Sequence, residues 1–261
     1  MKDLAIRAIR EAGKILMDNF GRVDKVIIKG DRNLTTNVDL EVEKRIIKLI
    51  REKYPDHGIL SEEQGEIKGD ADYRWIIDPL DGTHNYLYGI DIFGVSIALE
   101  YRGEIILGAI YIPKADELYF AEKGKRAYVN GKRIKVSRRK LNQASMVFDS
   151  GIRLNSKIML ENLVKLSRRV FNIRMFGSAT RGLSFIAEGK LDLAVKYHDK
   201  PWDFAAGALI IEEAGGRVTD FYGRPWSSKS KHYIASNGVF HEEIIRILNR
   251  EKSDYTKNFP I

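Results

Sequence analysis

Apolar residues recur at helical spacing as the chain begins. Leu4, Ala8, Ile15 and Phe20 form one stripe, with Ile9, Ala12 and Leu16 beside it and Gly21 as a stop. Val26-Ile27-Ile28 predicts a short strand. Thr35, Thr36 or Asn37 can cap a second helix that runs to about Lys53, with Leu40, Ile46, Ile47 and Ile50 inward. Between them, Lys29-Gly30-Asp31-Arg32-Asn33 is polar and glycine-bearing and predicts a mobile loop. Ile59-Leu60 then leads into Ser61-Glu62-Glu63, where one of the two glutamates can point inward, and Gln64–Asp72 reads as a loop. After residue 93 the rhythm becomes that of strands: Gly94–Glu100, Ile105–Ile112, Glu117–Ala121 and Ala127–Val136, with Asn130-Gly131 as a hairpin signal. Strands in sequence with short turns predict an antiparallel sheet.

Ser137-Arg138-Arg139-Lys140 is a charged break, and strands and helices alternate after it. Predicted strands are Ser145–Phe148, Ile173–Phe176, Leu191–Val195 and Tyr233–Ala235. Predicted helices are Ser156–Arg168, one following Gly177-Ser178-Ala179 through Ala187, one from about Trp202 to Ala214, and Glu242–Arg250. The chain therefore divides into an N-terminal α+β domain over 1–136 and a C-terminal α/β domain over 137–261, its last residues from Ser253 loosely held.

Trp75–Asn85 interrupts the pattern in the most informative way. The apolar run Trp75-Ile76-Ile77 predicts a buried strand that drives into Asp78 and ends at Pro79, which cannot donate to a ladder. Asp81 follows, and Gly82-Thr83 can open a short helix whose free N–H groups suit an anion. Asp-Pro and Asp-Gly are also ordinary turn dipeptides. Two acids leaving a core strand nevertheless cost free energy unless something pairs them, and a divalent cation would. The phosphotransfer pattern D-x-D-x-T does not fit, because the spacing is D-x-x-D-G-T. Further acids extend the set. Asp39 falls in the first turn of the second helix, where it also suits the helix N-terminus. Asp203 stands where an otherwise apolar helix begins.

Composition narrows the chemistry. The 261 residues are 44% hydrophobic, enough for a sizeable core. Cysteine is absent, which removes disulfides, thiolate metal sites and thiol nucleophiles and fits a reducing cytoplasm. The N-terminus does not read as a signal peptide, and no apolar stretch approaches a membrane span. The formal charge of +8 suits an anionic substrate or a nucleic acid, and Lys, Arg, Glu and Ile in abundance suit a heat-adapted protein.

Tyr73–Thr83 (Y-R-W-I-I-D-P-L-D-G-T) and Pro201–Gly207 (P-W-D-F-A-A-G) resemble the two signatures of the inositol monophosphatase family. Thr36–Asp39, Ser61-Glu62-Glu63 and Glu213–Gly216 match its other segments, so the likeness runs along almost the whole chain. The resemblance implies a Mg²⁺-dependent phosphomonoesterase built as a layered αβαβα sandwich, with two or three metals per site and Mn²⁺ as a substitute. By motif position Glu62, Asp78 and the Leu80 carbonyl would hold the first metal. Asp78, Asp81 and Asp203 would hold the second. Asp39 and Glu62 would serve a third through water. Thr83, with Glu62 and Asp39, would orient the attacking water, and Gly82 and Thr83 would receive the phosphate beside Asp81. Homodimerisation, lithium sensitivity and closure of Lys29–Leu34 over the metals are family expectations.

The match departs at the substrate. Inositol-preferring members carry a glutamate seven residues before the W-D aspartate, and this chain has Lys196. Lys196 and Arg174 can meet a second phosphate, with Ser178 and Ala179 close by, which predicts turnover of fructose 1,6-bisphosphate as well as inositol 1-phosphate. Heat-adapted and archaeal relatives act on both. The other course for Lys196 is into solvent. Hydrolysis of 3′-phosphoadenosine 5′-phosphate is compatible with Leu60–Glu63, although Asn85–Ile90 looks more like the inositol branch. A reading from another class is nucleic-acid binding through the basic stretch Lys123–Lys140, which the acidic residues disfavour; no nucleic-acid or membrane partner is expected. Of the five histidines His84 can contact substrate. His57, His198, His232 and His241 read as surface or structural.

Overall fold

The structure is a computed structural model, which describes residues 1–28 and 34–249. The N-terminal half runs α1 (Lys2–Asn19), β1 (Val26–Ile28), β2 (Leu34–Thr36), α2 (Asn37–Lys53), β3 (Gly58–Ser61), β4 (Gly65–Ile67), β5 (Tyr73–Asp81), α3 (Thr83–Leu87), β6 (Gly94–Tyr101), β7 (Glu104–Ile112), β8 (Glu117–Glu122), β9 (Ala127–Val129) and β10 (Lys132–Arg133). The C-terminal half runs β11 (Ser145–Phe148), α4 (Ser156–Ser167), β12 (Asn172–Arg174), α5 (Ala179–Ala187), β13 (Leu193–Tyr197), α6 (Pro201–Glu213), β14 (Arg217–Thr219), β15 (His232–Ser236) and α7 (His241–Asn249).

Side-chain alternation on β5 shows how the layers form. Trp75 and Ile77 face one side and pack with the apolar stripes of α1 and α2. Ile76 faces the other and joins Ala98, Ile110, Leu183, Phe204 and Tyr233. That second core is shared by the eight-stranded sheet, by α5 and α6, and by one face of the five-stranded sheet β12-β11-β13-β15-β14. The far face of that sheet carries Met146, Phe148 and Ile234 against Met159 of α4 and Ile244 of α7. Five layers result, alternating helix and sheet, as the resemblance implies.

α6 is buried nearly all round, so it must lie between two sheets. Its close approach to β7 depends on Gly108, where a Cβ would come within 2.7 Å of the Ala206 carbonyl.

Several boundaries differ from the sequence reading. β5 does not stop at Pro79 but continues to Asp81, because a bulge between Asp78 and Asp81 absorbs the proline's missing donor. Gln64–Asp72 contains β4, an edge strand of three residues. The run from Ala127 splits into β9 and β10 around Asn130-Gly131, both at positive φ (46° and 76°), the geometry of a tight hairpin turn. β12 lies earlier and β13 later than predicted, and β14 was not anticipated. The predicted loop 29–33 and the tail from residue 250 lie outside the described residues.

Candidate active site

The bulge on β5 determines where the first acids go. Asp78 is 1% exposed, and its carboxylate accepts the Leu80 N–H at 3.0 Å. β3 runs parallel to β5 with Ser61 opposite Ile77, and the Glu62 N–H bonds the Ile77 carbonyl at 3.3 Å. Glu62 thereby arrives beside Asp78, and the two carboxyl groups share a hydrogen bond. Burial, and then repulsion from Glu62, Asp81 and Asp203, hold the Asp78 carboxyl well above the usual carboxylate range. Asp203 is raised in the same direction by burial and by Asp199, Glu62 and Asp81. Acids from β5, the end of β3 and the first turn of α6 therefore feel one another in a desolvated place.

Each remaining acid is held by donors. Thr36 caps α2 and Asp39 reaches back to its N–H at 2.9 Å, completing a capping box; this settles which of the three candidates caps the helix. The other Asp39 oxygen accepts from the Thr83 hydroxyl at 3.2 Å. Burial raises the Asp39 carboxyl to about 6 against the opposing hydrogen bonds from Thr36. Thr83 also reaches the Leu80 carbonyl at 2.9 Å. Asp81 crosses to the second half of the chain, where the N–H groups of Ala179 and Thr180 donate to it at 3.0 Å each and the hydroxyls of Ser178 and Thr180 bond it too. Asp203 is the third residue of α6, not its cap, and accepts the Lys200 N–H at 2.6 Å. Gly82, at φ +85°, makes the turn into α3, and a Cβ there would meet the Ile92 carbonyl at 2.8 Å.

The donor set suits a hard divalent cation: carboxylates and one carbonyl, with no sulfur or imidazole. Mutual repulsion of buried acids is the condition such an ion relieves. Among the described residues, no three acids are drawn together as a ready-made cage, because Asp81 and Asp203 are engaged by backbone N–H groups.

A second cluster lies alongside. β11, β12 and β13 are mutually parallel, and their carboxyl ends present Asp149, Arg174 and Lys196 on one side, the usual place for a ligand in a sheet of this kind. Lys196 does not point into solvent. Its side chain is 13% exposed, 3.5 Å from Asp199 and 3.8 Å from Asp149. Burial opposes its charge, but Asp199, Asp149, Asp203 and Asp81 outweigh that and raise its pKa. Tyr233 donates to Asp199 at 2.9 Å. Arg174 has a buried Nη1 without a hydrogen-bond partner among the described residues.

Sequence reasoning missed Asp149 and Asp199. Asp149 ends the apolar run Met146–Phe148 just as Asp78 ends Trp75–Ile77, so the signal was present. It also missed Glu43, fully buried on α2, whose Oε1 accepts the N–H groups of Glu63 and Gln64 and so fixes the turn that delivers Glu62. Both glutamates of that turn are half-buried, and Glu63 accepts from Thr35 at 2.5 Å. His84 is exposed and packs on Tyr88. His57 and His241 are buried within hydrogen bonds to Trp75 and to Thr219 and Ser236.

The model of the inositol monophosphatase family matches residues 1–253. The chain belongs to that family. It is 39% identical over 249 residues to a fructose-1,6-bisphosphatase/inositol-1-monophosphatase of Thermotoga maritima, with 95% of each chain covered. It is 35% identical to the Nus factor SuhB of Escherichia coli K12, with 98% of each covered. Among solved structures, the extragenic suppressor protein suhB of Bartonella henselae superposes with a TM-score of 0.92 at 36% identity, covering 96% of this chain and 99% of that one. The inositol monophosphatase family member is accordingly a phosphoric monoester hydrolase of small phosphorylated metabolites, in a family that generally depends on Mg²⁺. Among the described residues, no helix is long and apolar enough to cross a membrane.

Proposed function

We propose that the protein hydrolyses small phosphorylated polyols and sugars, inositol 1-phosphate and fructose 1,6-bisphosphate among them, with Mg²⁺ held by Glu62, Asp78, the Leu80 carbonyl, Asp81, Asp203 and, through water, Asp39. The observation that carries this reading is Asp78, a fully buried carboxyl opposed by Glu62, Asp81 and Asp203. Bound there, Mg²⁺ supplies Lewis-acid neutralisation of phosphate charge and makes water nucleophilic near neutral pH. The chain's own groups do the positioning. The Thr83 hydroxyl, already between Asp39 and the Leu80 carbonyl, orients the attacking water, and Asp39 and Glu62 accept its hydrogens. The N–H groups of Gly82 and Thr83 receive the phosphate. Phosphoryl transfer asks for little more than such placement and neutralised charge.

Arg174, whose buried Nη1 has no partner among the described residues, and Lys196 support acceptance of a second phosphate, with Ser178 and Ala179 as further contacts. The deciding experiment is phosphate release with Mg²⁺ from inositol 1-phosphate, fructose 1,6-bisphosphate and 3′-phosphoadenosine 5′-phosphate. Release from the first two, abolished by EDTA, is expected. Turnover of the adenosine bisphosphate alone would transfer the assignment to that branch.

The described surface also favours a homodimer. Leu154, Ile158, Val164, Phe171 and Met175 are exposed apolar residues in or beside α4 and the edge strand β12, and Phe171 is 78% exposed. A second copy would cover them. Phe171→Glu should halve the mass measured by light scattering, and an unchanged mass would place the contact elsewhere.

A further inference from the structure

A cavity of about 820 Å³ lies at the opposite end of α6 from Asp203, about 15 Å along the helix axis. Its wall is built from the β8–β9 turn, β10, the strap that follows it and the C-terminal turn of α6. Arg126, Arg133, Lys135 and Arg138 line it, and all four are exposed. Among the described residues none of the four side chains is ion-paired, whereas the nearby Lys123, Lys125 and Arg139 each have a carboxylate partner. Two acids also line the wall, Glu212 and Glu213. Glu213 is already engaged by the backbone N–H groups of Gly124 and Arg126 at 2.6 and 2.7 Å. The cations are on fixed backbone: Ile134 bonds Ala127 and Val136 bonds Ala214, which pins the strap on either side of Lys135. Four exposed cations without an ion-pair partner among the described residues, set against two carboxylates in a recess rather than on a flat face, give the recess an excess of positive charge.

The structure assigns this recess to a small, multiply phosphorylated metabolite, bound apart from the catalytic acids. Its phosphates would meet Arg133, Lys135 and Arg138. The carbonyls at the end of α6 and the Glu212 carboxylate would take hydroxyl or amino donors from the rest of the ligand. The assignment is independent of the substrate proposed for the catalytic end.

Calorimetric titration of the full chain with inorganic tripolyphosphate tests it, in EDTA so that phosphate gains no metal at the catalytic end. One equivalent should bind. The triple variant Arg133→Ala, Lys135→Ala, Arg138→Ala should weaken binding by about tenfold or more while Mg²⁺-dependent phosphate release stays at the parent rate, which also shows that the variant is folded. Parent-like affinity in the triple variant, or no binding to the parent at millimolar tripolyphosphate, overturns the assignment. So does a single-stranded RNA of about 20 nucleotides that binds at least about tenfold more tightly and is lost in the same variant, because a nucleic-acid backbone would then be the occupant.

Discussion

Two buried acid clusters stand side by side in this fold, and they are balanced differently. Around Asp78 the acids Glu62, Asp81 and Asp203 face one another, with Asp39 nearby, and the chain brings neutral donors to them: Ser178 and Thr180 to Asp81, Thr36 to Asp39, and backbone N–H groups. Around Asp149 and Asp199 the chain brings Lys196, whose charge reaches Asp203 and Asp81 less strongly. The titration of the acids follows. Asp78 and Asp203 are pushed well above the carboxylate range, while Asp199 is raised by burial but held to about 6 by Lys196. A cluster that carries its own cation is neutralised as folded, and one without it holds protons or takes a cation from solution. Under the proposed function the first cluster is the one that would take a metal, and the second is a structural or substrate-facing ion cluster.

The largest effect should come from removing the centre of the incomplete cluster. Asp78→Asn should lower kcat by ~10³-fold or more, about 4 kcal/mol of transition-state stabilisation, measured by phosphate release with Mg²⁺. The same substitution should raise the melting temperature of the EDTA-treated protein, because it deletes a carboxyl that burial and three neighbours oppose. A lowered melting temperature without metal would show that Asp78 is compensated by something other than an ion.

The complete cluster should respond in the opposite sense. Lys196→Met keeps the bulk and deletes the cation, which leaves Asp149 and Asp199 facing each other. A destabilisation of about 3–5 kcal/mol is expected from urea unfolding, with or without Mg²⁺. If Mg²⁺ rescued that loss, the distinction between the clusters would fail, since an external ion would then serve both.

The pH dependence is intermediate in size. Asp39 has a folded value of about 6, above its ordinary 3.8. A carboxyl raised on folding contributes stability that is complete below the unfolded value and is lost as pH rises through the folded one. In EDTA the protein should therefore lose on the order of 3 kcal/mol from this group between about pH 4 and 7, and saturating Mg²⁺ should flatten the slope. Guanidinium unfolding at several pH values, with EDTA and with Mg²⁺, checks both halves. A slope indifferent to the metal would separate Asp39 from the ion.

Much of this arrangement could be read from the chain, for physical reasons that also mark where reading fails. Trp75-Ile76-Ile77 entering Asp78, with Asp81 three residues on, puts two acids where a core strand ends, a cost that is visible in one dimension. The apolar face of α6 behind Asp203 is equally visible. The bulge that carries β5 past Pro79 was not, because a proline signals a break equally well whether the strand ends or slips by one residue. Lys196 was legible as a departure from the family pattern, but not its partners. Asp149 lies 47 positions before it and Asp199 three after, and only the parallel pairing of β11 with β13 brings the first of them near. Glu43 was hidden for a similar reason: on a helix it reads as a solvated charge until β3 is seen to end against it.

The smallest expected effect tests how far neutral donors can stand in for a cation. Thr36 does two jobs at the incomplete cluster: it caps α2, and it holds Asp39 through both its N–H and its hydroxyl. Thr36→Ala removes the hydroxyl and leaves the N–H. Loss of the cap alone should cost about 1 kcal/mol. If the hydroxyl also offsets the burial of Asp39, the variant's Asp39 should titrate above the parent value and the pH slope in EDTA should shift upward with it, while Thr36→Ser restores both. A variant that lost stability equally at every pH would confine Thr36 to the cap, and the Asp39 carboxyl would then owe its remaining ionisation to Thr83 and the backbone alone.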